Sequence, residues 1–105
     1  MPATLKPLFR GAATTTTTTL LYTVPASTTT VVANIVITNT AASAGTFTLA
    51  MGTSGTPTAM ATTVAIAANS IVTLDIKQTL TAAQVITGGA SATTINFHIS
   101  GVEIV

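Results

Sequence analysis

Short runs of β-branched and apolar residues, each closed by a turn signal, constrain this chain more than any other feature. The runs "VVANIVITN" (31–39), "GTFTLAM" (45–51), "IVTLDIK" (71–77) and "TTINFHISGVEIV" (93–105) are separated by stretches rich in Gly, Pro, Asn and Ser. Helix formers in amphipathic order are missing, and Thr, Val and Ile favour extended backbone. The chain therefore reads as all-β. In "GTFTLAM", Phe47, Leu49 and Met51 share one face and Thr46, Thr48 and Ala50 the other. In "IVTLDIK" the apolar set is Val72, Leu74 and Ile76. "VVANIVITN" places Val31, Ala33, Ile35 and Ile37 on one side and Val32, Asn34, Val36 and Thr38 on the other, so both of its faces are expected to be at least partly buried.

Weaker segments complete the set. "AMATTVAIAA" (59–68) follows the turn "GTSGTP", and Asn69-Ser70 opens the strand after it. "QTLTAAQVITGGAS" (78–91) reads as a loop, a short strand around Val85 and a glycine turn at Gly88-Gly89. In the last run Ile95, Phe97 and Ile99 alternate inward, whereas Val102 and Ile104 lie on the other parity. A bulge at Ser100-Gly101 is expected to return them to the core. With "TLKPLF" (4–9) counted as a possible edge segment interrupted by Pro7, about seven or eight strands emerge at turn spacings of roughly 8 to 12 residues, the pattern of a sandwich or barrel. The expected fold is a single jelly-roll-like antiparallel β-sandwich over residues 13–105, preceded by an extended arm over residues 1–12.

Charge is the second constraint. Asp, Glu, Lys and Arg make up 5% of the 105 residues, against about 25% in ordinary globular domains. A folded monomer of this mass has roughly 5,400 Å² of surface, about one charge per 1,000 Å². Electrostatic protection against association is correspondingly small, and a domain this short buries only about 60 to 65% of its unfolded surface. With no cysteine to staple it, partner subunits are the expected supplement. A net charge of +1 does not suit a nucleic-acid binder, which neutralises many phosphates. Mean hydropathy is positive, but no segment approaches the 18 or so apolar residues of a spanning helix. "MPATLKPLFR" has two prolines and no apolar core of a secretory signal, so neither membrane nor export is expected.

Six threonines, residues 14–19, precede Leu20-Leu21-Tyr22. A mucin-like stalk extends its bias over long stretches, and a flexible linker uses Gly and Ser. The tract is therefore read as the first half of a strand reaching about Val24, with Leu20, Tyr22 and Val24 on one face and Pro25 as its end. Identical side chains cannot specify register. Residues 14–16 are expected to be loosely held or paired at an edge, and 18–24 to be firmly in the sheet.

Catalytic and metal chemistry has little to work with. His98, Asp75 and Glu103 are the chain's only His, Asp and Glu residues. They are too few and too scattered for a converging ligand set, and a symmetry-axis site built from His98 is the one metal arrangement left open. His98 reads as an outward-facing strand residue, and Asp75 as the partner of Lys77. No Gly-x-Ser-x-Gly element or phosphate-cradling loop occurs. The carboxylates Asp75 and Glu103 make a poor pair for glycoside chemistry, and one Tyr with three Phe forms no stacking platform. No enzyme activity, cofactor or metal is expected. Lys6 and Arg10 concentrate charge in the N-terminal segment and are the candidate interface residues, on an arm reaching a neighbouring subunit or an acidic surface.

The stretch "LLYTVPASTTTVVANIVITNTAASAGTFTLAM" (20–51) and the ending "INFHISGVEIV" (95–105) resemble small structural proteins of tailed-bacteriophage virion modules. Shared features are a Leu-Tyr-Thr-Val-Pro-Ala opening, a Val/Ile-rich strand ending in Asn-Thr, a Phe-x-Leu strand and a Gly-Val-Glu-Ile close, covering about two thirds of the chain. Where such families carry Ala-Gly-Asp or similar before a late isoleucine, this chain reads Ala83-Gln84-Val85-Ile86. The carboxylate is missing, and no functional residue is carried over. The resemblance implies a β-sandwich virion component, commonly trimeric, made in the host cytoplasm. It would act as a capsid decoration (cement) protein binding across major-capsid subunits or, alternatively, as a neck, tail or fibre module touching the host surface. An ice-binding module is a further reading of the threonines, but their clusters lack the regular spacing of a Thr-x-Thr lattice.

Overall fold

A computed structural model describes residues 3–105 as nine antiparallel strands without a helix. They are β1 (Ala3–Ala12), β2 (Leu20–Thr23), β3 (Thr29–Asn39), β4 (Gly45–Gly52), β5 (Thr58–Ile66), β6 (Ser70–Leu74), β7 (Gln78–Leu80), β8 (Val85–Ala90) and β9 (Ile95–Ile104). Sheet A has the order β1-β9-β3-β6, with β7 also paired to β3, and sheet B the order β2-β8-β4-β5. β6 pairs with Ile35–Asn39 and β7 with Thr30–Val32. The two are thus one edge strand interrupted at residues 75–77, opposite the place where β3 bulges at Ala33.

Counted that way, each sheet has four strands, and the pairings describe one long hairpin rolled up: β1 with β9, β2 with β8, β3 with β6/β7 and β4 with β5. The roll closes along β3–β9 and β4–β8. This is the double Greek key of a jelly roll, and the expected fold class stands.

Alternation builds the core. Ile35 and Ile37 from β3 and Ile95, Phe97 and Ile99 from β9 meet Phe47 and Leu49 from β4 and Ile86 from β8, all essentially fully buried. Phe47 and Phe97 touch edge-to-face across the two sheets, with centroids 6.5 Å apart. Such a contact is worth about 0.5–1.5 kcal/mol beyond burial. Asn39 is buried with two other polar residues, Thr28 and Thr30, and its amide is fully used. Nδ2 donates to the carbonyls of Ser43 (2.9 Å) and Ala67 (3.3 Å), and Oδ1 accepts from the Ala41 amide (3.0 Å). It ties two loops to the end of β3.

Five local expectations are corrected. The bulge expected at Ser100-Gly101 is absent, and β9 runs straight while its neighbours bulge around it, at Leu8 in β1 and Ala33 in β3. Gly101 is the reason: a Cβ there would fall 2.9 Å from Leu8 Cδ1 and closer still to the Val31 carbonyl. Val102 and Ile104 therefore stay on the outer face, half-buried. The bulge at Ala33 also reverses parity along β3, so that Val32 joins Ile35 and Ile37 inside and Val31 faces out.

Gly88-Gly89 is not a turn. Both glycines are buried inside β8, where the Thr48 carbonyl oxygen would lie 2.6 Å from a Gly88 Cβ.

The threonine tract is not the first half of a strand. It forms an arch, and the strand begins only at Leu20. The two ends of the arch act as strand would, the Thr14 and Thr19 carbonyls accepting from the Ala90 and Gly88 amides at 2.9 Å each. Between them the chain turns back on itself, and the Thr16 carbonyl accepts from the Thr19 amide (3.2 Å), the Thr19 hydroxyl (2.8 Å) and the Thr14 hydroxyl (3.1 Å). Hydroxyls that satisfy a local carbonyl compete with extended pairing.

Leu20, finally, does not share a face with Tyr22. Leu21 is an extra residue between the pairs Leu20↔Thr87 and Tyr22↔Ile86, which leaves Leu20 exposed.

Candidate functional site

Residues 3–12, expected as an arm, are the edge strand β1, paired along their whole length with β9. Met1 and Pro2 of that arm lie outside the described residues. β1 is anchored by Leu8, which is buried in the core. Lys6 and Arg10 consequently have different settings. Lys6 lies opposite Gly101 on the inner side, and its ammonium meets Glu103 Oε1 at 3.3 Å. Arg10 lies opposite His98 on the outer side and is exposed. Among the described residues it has no acidic partner.

Glu103 is the inward residue that sequence reasoning missed. Its parity matches Ile95, Phe97, Ile99 and Gly101, and the misplaced bulge hid that fact. A straight β9 carries it to the open end of the sandwich, where its side chain is 13% exposed. There the Tyr22 hydroxyl, arriving from sheet B, donates to Glu103 Oε2. Thr30 Oγ1 stands 2.9 Å from the same hydroxyl. The phenol proton is committed to the carboxylate, so Thr30 is the donor in that contact. The Tyr22 pKa is pushed up to about 12, first by burial and then by the hydrogen bond to Glu103, because ionising the phenol would set two anions against each other. Lys6, Tyr22, Thr30 and Glu103 thus join β1, β2, β3 and β9 in one satisfied polar plug.

The remaining candidates do not converge. Asp75 and Lys77 pair at 3.6 Å, both side chains 76% exposed, in the break between β6 and β7. His98 faces outward in mid-β9, with β3 lying between it and the edge that carries Asp75. Glu103, five residues on, is on the opposite side of the sheet. Among the described residues no three His, Asp or Glu side chains gather where a metal ion could be held. An open depression of 410 Å³ beside Thr38, Asn39, Asn69 and Ile71 gathers no titratable side chain, and the Asn39 amide is spent on the loops.

What remains is surface. The outer face of sheet A carries Leu5, Val31, Val36, Ile71, Val102 and Ile104. That of sheet B carries the row Leu20, Thr87, Ala50 and Ala59, with Thr46 and Thr48 beside it. The chain is by structure a jelly-roll β-sandwich. No protein-family model and no curated protein matches it.

Proposed function

We propose that this chain is a non-enzymatic structural protein of a virus particle, a capsid decoration protein that seats across major-capsid subunits and stabilises the closed shell. One observation supports this reading above others. A surface of 5,360 Å² bears five charged side chains, and four of them neutralise one another as Lys6–Glu103 and Asp75–Lys77. Such a surface is suited to being covered in use. The mechanism is linkage: contacts made only to the assembled shell add their binding free energy to its stability. The chain is expected to act as a homo-oligomer, with a trimer preferred.

The test compares purified particles with and without the protein. Lower heat and osmotic endurance in particles lacking it supports the reading, and equal endurance overturns it. Copy number then separates decoration, which follows the capsid lattice, from a neck, tail or fibre module, which is present in few copies.

A further inference from the structure

We propose that the outer face of sheet A is the surface by which this chain seats on a different protein, one presenting an apolar patch beside a carboxylate. The virion reading enters only as the source of that partner. The solvent face of an antiparallel sandwich is ordinarily polar. Here one end of the outer face of sheet A is apolar, with Leu5, Val102 and Val31 in one cross-strand row and Ile104 beside them, while Asn34, Ser100, Thr38 and Asn96 keep the rest of the face polar. Val31 and Val36 of β3 and Val102 and Ile104 of β9 point away from the core, each half-buried by its neighbours. Leu5 and Ile71, at 82% and 66% exposure, stand at opposite corners of the same face. Among the described residues no further layer covers that row, since Leu5 keeps 82% of its surface exposed.

Charge determines what kind of layer it is. Arg10 on the edge strand β1 and His98 on β9 are cross-strand partners on this face, and no acidic side chain shares it. Asp75 is paired with Lys77 on the far edge and Glu103 points inward. A second copy would bring the same cation and no free side-chain carboxylate, so the partner is a different protein. The size is adequate. Four strands about 4.8 Å apart and ten residues rising about 3.3 Å each give a face of roughly 600 Å². Covering it buries about 1,200 Å² over both partners, the lower end of specific interfaces.

The experiment measures binding of purified protein to particles that lack it, by co-sedimentation, for wild type, Leu5→Asp, Arg10→Glu and Leu20→Asp. Leu20→Asp makes the same chemical change on the outer face of sheet B. All substituted positions are exposed, and circular dichroism with melting curves confirms that each variant is folded. Leu5→Asp and Arg10→Glu are expected to weaken binding by about tenfold or more, with Leu20→Asp within about twofold of wild type. If wild type itself does not bind particles, the virion reading fails. If wild type binds and Leu20→Asp alone weakens it, the reading stands and this face assignment is overturned. If Leu5→Asp or Arg10→Glu instead lowers the homo-oligomer mass in analytical ultracentrifugation, the face is a self-contact and the proposal is equally overturned.

Discussion

Adding one methyl group at Gly89 tests whether the threonine arch is part of the fold or merely lies over it. An alanine Cβ there would fall nearest the Thr16 carbonyl oxygen, 2.8 Å from that carbonyl's carbon and 2.9 Å from the Thr14 carbonyl oxygen. Ordinary carbon–carbon contact begins near 3.5 Å, so the arch must retreat by at least about 0.7 Å. Its two anchoring hydrogen bonds, to the Gly88 and Ala90 amides at 2.9 Å, would stretch to at least about 3.6 Å, past the useful range. Losing two backbone bonds at about 1 kcal/mol each, with some strain left over, costs about 2–3 kcal/mol. In a domain of this size that lowers Tm by roughly 10–20 °C. Gly11→Ala is the matched control, because the nearest atom to its added Cβ is the Phe9 ring at 3.6 Å. It is expected to be neutral or slightly stabilising. Calorimetry gives the two Tm values, and hydrogen exchange should show faster Gly88 and Ala90 amides in Gly89→Ala only. Equal melting of the two variants would refute the claim that β8 needs glycine in order to carry the arch.

Within the arch, Thr19→Val removes the hydroxyl that donates to the Thr16 carbonyl and is expected to cost about 1 kcal/mol in urea unfolding. Thr17→Val, at an exposed position, should stay within about 0.5 kcal/mol of wild type. If the two are equal, the tract is held by shape alone. Tyr22 is the only tyrosine and there is no tryptophan, so tyrosinate absorbance reports it directly. The folded protein should titrate near 12, and a midpoint near the ordinary value of about 10 would break the polar plug. Because the folded protein holds this proton more tightly than the unfolded chain, the stability it contributes is intact below about pH 10 and is lost as pH climbs toward 12. Glu103→Gln removes the charge that meets Lys6 and should lower the urea midpoint by the equivalent of about 1–2 kcal/mol. Asp75→Asn, which breaks an exposed pair, should change it by less than about 0.5 kcal/mol. Equal effects would mean that the plug contributes no more than a surface ion pair.

The sequence made strand type legible and strand facing only in part. "GTFTLAM" and "IVTLDIK" could be assigned inside and outside because period-2 alternation runs through them unbroken. β3 and β1 could not, because Ala33 and Leu8 are bulged by an event in a third strand: Gly101 of β9 lets both neighbours press in. A glycine that permits close approach and a glycine that permits a turn carry the same letter, which is why Gly88-Gly89 read as a turn. The threonine arch depended on that same ambiguity, since only a side-chain-free β8 leaves room for it. Glu103 was hidden for a different reason. A charged residue on the core parity conflicts with burial unless Tyr22, Thr30 and Lys6 converge on it, and convergence from four strands is a property of topology.

The placement of the few charges completes the argument about which surface is used. A free strand edge invites edge-to-edge pairing and is usually blunted by charge, proline, bulges or shortness. β1 has Lys6, Pro7, Arg10 and the Leu8 bulge. The opposite edge of sheet A is cut at residues 75–77, where Asp75 and Lys77 sit. In sheet B, β2 is four residues long and β5 departs twice from regular register with β4. All four edges are thus guarded, and four of the five charged side chains lie on the two edges of sheet A, with Glu103 holding one of them in place. Had the chain evolved only for general solubility, its charges would lie on the broad faces, where the apolar side chains are. Instead the edges are closed to strand addition and the β1-β9-β3 face is left neutral except at Arg10. Contact across a broad face, by side chains and without sheet extension, is the mode of association that this distribution leaves open.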